Sequence, residues 1–113
     1  MGNYYIIKRE FSFLETRYGF KRIMKQNHGA YCFILWTNGV KKIMVLFDDR
    51  IDEKKESPIK IRVYDANCYG TYYDNVDEYK NELKIDSKKS KCRINYAAEW
   101  VFKAIENKII IIE

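Results

Sequence analysis

The sequence predicts an α+β fold, in which an antiparallel β-meander of three to four strands packs with an N-terminal and a C-terminal helix. Two strongly apolar runs, 31–37 and 40–47, flank Asn38-Gly39, a dipeptide typical of hairpin turns. A third strand is indicated at 59–64, where apolar residues alternate with others in the two-residue period of a strand. Both ends of the chain show helical periodicity.

The N-terminal segment predicts an amphipathic helix. Ile7, Phe11, Leu14 and Tyr18 recur at a spacing that places them on one helical face. Gly19 suits the left-handed position just beyond a helix end, so we expect the helix to end near Tyr18.

The hairpin implies a register. If Asn38 and Gly39 are the two central residues of a type I′ turn, cross-strand neighbours can be named. In that register Thr37 faces Val40, Ile34 faces Ile43 and Cys32 faces Val45. Both faces of the hairpin are apolar, which predicts central strands that are covered on both sides. The segment from Phe20 to Gln26 could add a further strand before the hairpin.

Two irregular segments follow the hairpin. The charged stretch 48–58 is expected to form an exposed loop, because Pro58 disfavours helix in the residue before it. The stretch 65–73 leads to Asp74, which can cap a helix whose inward side would carry Val76, Tyr79 and Leu83.

The C-terminal segment predicts a second long helix. Its apolar face comprises Ile94, Ala98, Val101, Ile105, Ile109 and Ile112. We expect helix through about Asn107. The β-branched run 109–112 could equally form an edge strand, since periodicity does not separate the two structures over so short a run.

Length and composition favour a single domain over residues 1–113. No apolar stretch reaches the roughly 20 residues of a membrane-spanning helix, and the N-terminus lacks the sections of a signal peptide. The three cysteines are odd in number and widely spaced, unlike a disulfide framework. We therefore expect a cytoplasmic protein with reduced thiols, of which Cys32 lies in the core.

The net charge of +5 conceals an acidic middle. Basic residues outnumber acidic ones by eight to two in residues 1–47 and by six to three in residues 87–113. In residues 48–86 the acidic residues prevail by eleven to seven. Such asymmetry suggests separate surface regions with different preferences, although solvated loops and helix faces also produce it.

The sequence carries no signature of catalysis, a metal or a cofactor. The sole histidine, His28, lies in an Asn-His-Gly segment typical of a turn. Zinc-ligand spacings and phosphate-binding glycine loops are absent from the sequence. These observations predict a protein that is not an enzyme and that acts by binding.

Basic residues leave nucleic-acid binding open as an alternative function. The residues concerned are Lys21, Arg22, Lys25, Lys60 and Arg62 on or near proposed strands, and Lys88, Lys89, Lys91 and Arg93 before the last helix. Tyr64, Tyr69, Tyr72 and Tyr73 could stack on exposed bases. The glycine-aromatic pattern of an RNA recognition motif is absent from the sequence. A small nucleic-acid-binding or phage-type regulatory protein is therefore the second hypothesis.

The order of three segments resembles small bacterial immunity proteins of contact-dependent and other polymorphic toxin systems. The segments are Phe11-Ser-Phe-Leu-Glu-Thr-Arg-Tyr-Gly-Phe20, Val45-Leu-Phe-Asp-Asp-Arg50 and Ile59-Lys-Ile-Arg-Val63. The resemblance covers about the first 65 residues. It implies a small cytosolic protein that binds a cognate toxin domain and neutralises it without catalysis.

Many immunity proteins that face basic nuclease toxins are acidic, whereas this chain is basic overall. The resemblance therefore implies either local use of the acidic middle or a different kind of toxin. Concentrated acidity and neighbouring tyrosines select the candidate partner-binding residues. They are Asp48, Asp49, Asp52, Glu53, Glu56, Tyr72, Tyr73, Asp74, Asp77 and Glu78.

Overall fold

The computed structural model describes residues 2–51, 58–66 and 90–113, with side chains from Ile94 onward in the last segment. Its elements are α1 (Asn3–Glu10), α2 (Phe13–Thr16), β1 (Lys21–His28), β2 (Tyr31–Thr37), β3 (Lys41–Asp48), β4 (Ile59–Asp65) and α3 (Ser90–Glu106). The predicted α+β class is confirmed. The helix predicted after Asp74 lies outside the described residues.

The described strands form one antiparallel sheet in the order β1-β2-β3-β4, which is a meander. The predicted fourth strand is therefore present and precedes the hairpin, as β1. The two central strands are buried at five consecutive positions each, 32–36 and 43–47. Consecutive strand residues point to opposite faces, so this burial confirms that both faces of the hairpin are covered.

The helices pack on one face of the sheet, where the larger core lies. Its strand residues are Cys32, Ile34, Trp36, Ile43, Val45, Phe47, Ile59 and Ile61, and its helical residues include Ile7, Leu14, Ala97 and Val101. A second buried cluster of Phe33, Leu35, Met44 and Leu46 lies on the opposite face. We refer to the two sides as the helix face and the second face.

The predicted hairpin register is wrong by two residues. Thr37 pairs with Lys42, Ile34 with Val45 and Cys32 with Phe47. The central turn residues are Gly39 and Val40, because the Asn38 N–H bonds to the Lys41 carbonyl at 3.2 Å. The Asn38 side-chain oxygen also accepts from the Val40 and Lys41 N–H groups, at 2.9 and 2.8 Å. Of the two central residues, Gly39 alone has positive φ, at 91°. A shift of two residues retains the face of every side chain, so the core prediction survives.

The predicted N-terminal helix is interrupted at Phe11 and Ser12. The Ser12 N–H bonds to the carbonyl of Arg9, three residues back, at 3.3 Å, and the chain resumes as the single turn α2. Phe11 is fully buried, with its ring centroid 6.0 Å from that of Trp36. Burial of Phe11 against the sheet therefore accompanies the loss of a continuous helix. Gly19 has φ 73°, as predicted for the residue that turns the chain toward β1.

The C-terminal helix ends at Glu106, one residue before the predicted limit. Ile94, Ala98, Val101 and Ile105 are buried, as predicted. The run 109–112 is neither helix nor strand. Lys108 has φ 61° and reverses the chain, after which Ile110 is buried and Ile109 is exposed. The predicted helical face therefore does not extend to Ile109 and Ile112.

A polar cluster joins α2 to the end of α3. Tyr18 donates a hydrogen bond to the Glu106 carboxylate, and the Arg17 guanidinium lies 3.4 Å from the same group. These donors lower the pKa of Glu106, the Tyr18 hydrogen bond having the larger effect. The Arg17 guanidinium also lies 5.4 Å from the centre of the Phe102 ring. The N-terminal and C-terminal helices are thus held together on the helix face.

Candidate functional site

Strand β1 forms one edge of the sheet and is exposed along its whole length. All eight residues from Lys21 to His28 are exposed, in contrast to the buried strands beside it. Ile23 and Met24 are 49% and 41% exposed. Within the described residues, no strand pairs with the outer side of β1. An edge strand of this length is a surface on which another extended chain can pair.

A β-bulge in β1 decides which of its side chains share a face. Arg22 pairs with Trp36 and Lys25 pairs with Ile34, whereas the register shifts between Arg22 and Met24. Trp36 and Ile34 both belong to the core on the helix face. Cross-strand partners share a face, so Arg22 and Lys25 also lie on the helix face. In a regular strand, residues three apart would point to opposite faces.

The bulged strand lines a groove of about 800 Å³ beside the helices. Its described lining comprises Lys8, Glu15, Phe20, Lys21, Arg22, Ile23, Met24 and Lys25. Four of these side chains are cationic and one is a carboxylate. Phe20 is 2% exposed, and Met24 pairs with Leu35 of the second face, so the exposed apolar side chain beside the groove cations is Ile23. The groove is therefore mainly a basic surface, with Ile23 beside its cations.

Glu15 links the groove to the core. Its carboxylate accepts a hydrogen bond of 2.9 Å from the indole N–H of Trp36, which is fully buried. The Arg22 Nε lies 2.9 Å from the same carboxylate oxygen. The shared carboxylate satisfies the buried indole and orients the guanidinium at the rim of the groove. A buried tryptophan needs such an acceptor, and this requirement is the sequence signal that could have identified Glu15.

Unlike Arg22, the lysines of the groove have no carboxylate partner among the described residues. In residues 2–51, 58–66 and 90–113, no carboxylate forms an ion pair with Lys8, Lys21 or Lys25. Lys8 was not among the candidate residues, because it lies on a helix that the sequence presents only as amphipathic. The excess positive charge makes the groove attractive to anionic groups.

Among the predicted acidic residues, Asp48 is already paired. Its carboxylate accepts hydrogen bonds of 2.8 and 3.0 Å from the Arg50 guanidinium, and its side chain is 15% exposed. Arg50 lowers the pKa of Asp48, chiefly through these hydrogen bonds. Arg50 also lies over the ring of Tyr31, 5.7 Å from its centre. Asp48 therefore orders the start of the loop in addition to carrying charge.

Asp49 differs from its neighbour. It is exposed, and its backbone N–H donates a 2.7 Å hydrogen bond to the carbonyl of Ala30. The structure therefore places Asp48 and Asp49 together beside the β1–β2 turn. The other predicted partner-binding residues lie outside the described segments: Asp52, Glu53, Glu56, Tyr72, Tyr73, Asp74, Asp77 and Glu78.

The basic residues predicted on strands do not form one patch. Lys60 pairs with Leu46 and Arg62 with Met44, so both lie on the second face of β4. β1 and β4 are opposite edges of the described sheet. In the second basic cluster, Lys88 and Lys89 lie outside the described residues. Lys91 and Arg93 precede Ile94, the first residue of α3 whose side chain is described.

Reactive side chains are sparse in the described residues. His28 is the exposed last residue of β1, rather than a member of the turn as predicted. Cys32 is fully buried, as predicted, and burial together with Asp49 raises the pKa of its thiol to about 11. Residues 2–51, 58–66 and 94–113 contain no cluster of three metal-ligand side chains. None of the described helices is long and apolar enough to cross a membrane.

The comparisons with known proteins add no relative to this description. No protein-family model, no curated protein and no solved structure matches the chain.

Proposed function

We propose that this chain is a non-enzymatic cytoplasmic binding protein of the immunity type, which binds a cognate bacterial toxin domain and neutralises it. The observation that supports this proposal is the exposed edge strand β1 with its basic groove. The resemblance of the first 65 residues to immunity proteins provides the biological class, and the edge strand provides a surface for a protein partner.

The chemistry of this surface suits protein recognition. The exposed side chains of Ile23 and Met24 offer apolar contact area along β1, next to Lys21, Arg22 and Lys25. Methionine and arginine are enriched in protein interfaces, and charged rims increase association rates and selectivity. If the toxin segment that contacts this surface is acidic, the net positive charge of the chain contributes to binding.

The acidic residues remain part of the proposal as a second contact region. Between the two that are described, Asp49 is better placed for a partner, because the Asp48 carboxylate is occupied by Arg50. Replacing Asp49 with lysine should weaken toxin binding if this region is used, and should alter its salt dependence. Unchanged affinity and salt dependence in that variant would remove Asp49 from the interface.

Co-purification tests the proposed function directly. The tagged chain is recovered from lysate of its native cell, treated with nuclease, and the retained protein is identified. We expect one stoichiometric partner protein that is encoded near this chain. Expression of that partner alone should arrest growth, and co-expression of this chain should relieve the arrest. A partner that is harmless when expressed alone would contradict neutralisation.

Nucleic-acid binding is the second candidate, and the groove cations Lys8, Lys21, Arg22 and Lys25 favour it. Phosphate contacts make binding fall steeply as salt rises. Retention of nuclease-sensitive nucleic acid without a protein partner, together with a steep salt dependence, would select this candidate over the immunity function.

A further inference from the structure

We propose that β1 is a docking edge for an extended acidic segment of the partner protein, which pairs with β1 as an added strand and places carboxylates in the basic groove. This inference rests on the proposed function and deepens it by naming the surface and the partner chemistry. Three features of β1 carry it: its position in the sheet, the spacing of its cations and the character of the groove lining.

The first feature is the position of β1. It is an eight-residue strand at the edge of the described sheet, hydrogen-bonded to β2 on its inner side. A peptide that adds to such an edge gains affinity from main-chain hydrogen bonds, and its alternate side chains fall on alternate faces. One set of those side chains would therefore enter the groove on the helix face.

The second feature is the spacing of the groove cations. Arg22 and Lys25 lie opposite Trp36 and Ile34, which are two residues apart on β2. Two strand residues span about 6.6 Å, which is also the spacing of alternate side chains on an incoming strand. Carboxylates at alternate positions of the partner therefore match the two cations. Without the bulge, Lys25 would point to the second face and the match would be lost.

The third feature is the lining. Aromatic platforms are the usual means by which single-stranded nucleic acids are held, because bases stack on them. The aromatic side chain among the described lining residues is Phe20, which is buried. The exposed Ile23 offers an aliphatic contact instead. The groove therefore suits acidic peptide better than single-stranded nucleic acid.

Glu15 distinguishes Arg22 from the lysines of the groove. It already holds Arg22 in place through a 2.9 Å ion pair, while its other contact fixes it to Trp36. Lys21 and Lys25 have no such partner in the described part of the chain. We expect Lys25 to contribute most to the binding of an incoming carboxylate. Lys25 lies on the groove side of β1, and no described carboxylate must be displaced from it.

The test uses the full chain and a labelled peptide of alternating glutamate and valine, with binding followed by fluorescence anisotropy. We expect binding that weakens with salt, and a loss of about tenfold in Lys25→Glu, since rim charges act through long-range attraction. The matched control is Lys103→Glu, which makes the same charge change on the exposed side of α3. Equal losses in the two variants would indicate net charge alone and overturn the proposal.

Two further probes test strand addition. Two versions of the peptide are N-methylated, one at the glutamates and one at the valines; only one of these two sets of N–H groups faces β1, so we expect one version to lose binding while retaining every carboxylate. Amide NMR shifts caused by the unmodified peptide should concentrate in residues 21–28. Undiminished binding of both N-methylated peptides, shifts confined to other strands, or tighter binding of a single-stranded RNA of equal charge would each overturn the proposal.

Edge lysines also protect sheets from pairing with copies of themselves. If the peptide does not bind and Lys25→Glu causes self-association, the lysines serve that protective purpose and the docking proposal fails. Failure of this inference is distinguishable from failure of the proposed function. If Lys25→Glu neutralises the toxin and binds it with unchanged affinity, the immunity function stands and β1 is excluded as its surface.

Discussion

The side-chain amide of Asn38 donates a hydrogen bond of 2.8 Å to the backbone carbonyl of Ile112, 74 residues away. The oxygen of the same amide accepts the Val40 and Lys41 N–H groups of the hairpin turn. One side chain therefore shapes the β2–β3 turn and holds the C-terminal segment against it. The two contributions can be separated by substitution.

Replacing Asn38 with alanine should lower the free energy of unfolding by about 1–3 kcal/mol, because both sets of hydrogen bonds are lost. Asn38→Asp is the matched control, since it retains an acceptor for the turn and removes the donor to Ile112. We expect it to lose less stability in urea unfolding. An Asn38→Asp variant as stable as the original protein would show that the contact with Ile112 contributes nothing.

Replacing Glu15 with alanine should destabilise the protein by about 1–3 kcal/mol, because the buried Trp36 indole loses its acceptor. Glu15→Gln retains an acceptor and removes the charge that faces Arg22, so its loss should be smaller. Unfolding monitored by tryptophan fluorescence measures both. Equal destabilisation by the two variants would show that Glu15 stabilises the fold through its charge.

Cys32 should make stability depend on alkaline pH. Its pKa is raised from 9.0 to about 11 in the folded protein, chiefly by burial, so folding favours the neutral thiol. The contribution is complete below about pH 9 and is lost as pH rises toward 11, to the extent of about 2–3 kcal/mol.

The control for this pH dependence is Cys32→Ala, which removes the thiol and leaves the tyrosines that titrate in the same range. The difference in unfolding free energy between the two proteins should shrink as pH rises from about 9 to 11. A constant difference across that range would mean that the Cys32 thiol does not titrate as the burial implies.

Lys108 should be replaceable by glycine with a gain in stability. Its φ of 61° is left-handed, a conformation that costs an L-residue roughly 1 kcal/mol and costs glycine little. Lys108→Gly should therefore raise the free energy of unfolding by about 0.5–1 kcal/mol. Lys108→Ala also removes the exposed ion pair with Glu113 but retains a Cβ, so no gain is expected from it.

Several features of the fold follow from local patterns. Alternation at 59–64, the apolar runs around Asn38 and the helical spacing of Ile94, Ala98 and Val101 reflect which side chains must be buried, and burial depends on periodicity that is visible in the sequence. The two-residue register error left this assignment intact, because the strand period is two. The break at Ser12 was not predictable from the apolar pattern, since Phe11 and Leu14 remain buried on either side of it.

The sequence by itself determined the α+β class, the meander and the two-sided burial of its central hairpin, because these depend on local periodicity and turn chemistry. The tertiary structure alone decided that Arg22 and Lys25 share the groove. Their common face depends on a bulge, and the bulge is defined by pairing with Trp36 and Ile34 on another strand. Such pairing is a property of two distant segments together, so no pattern within 21–28 contains it.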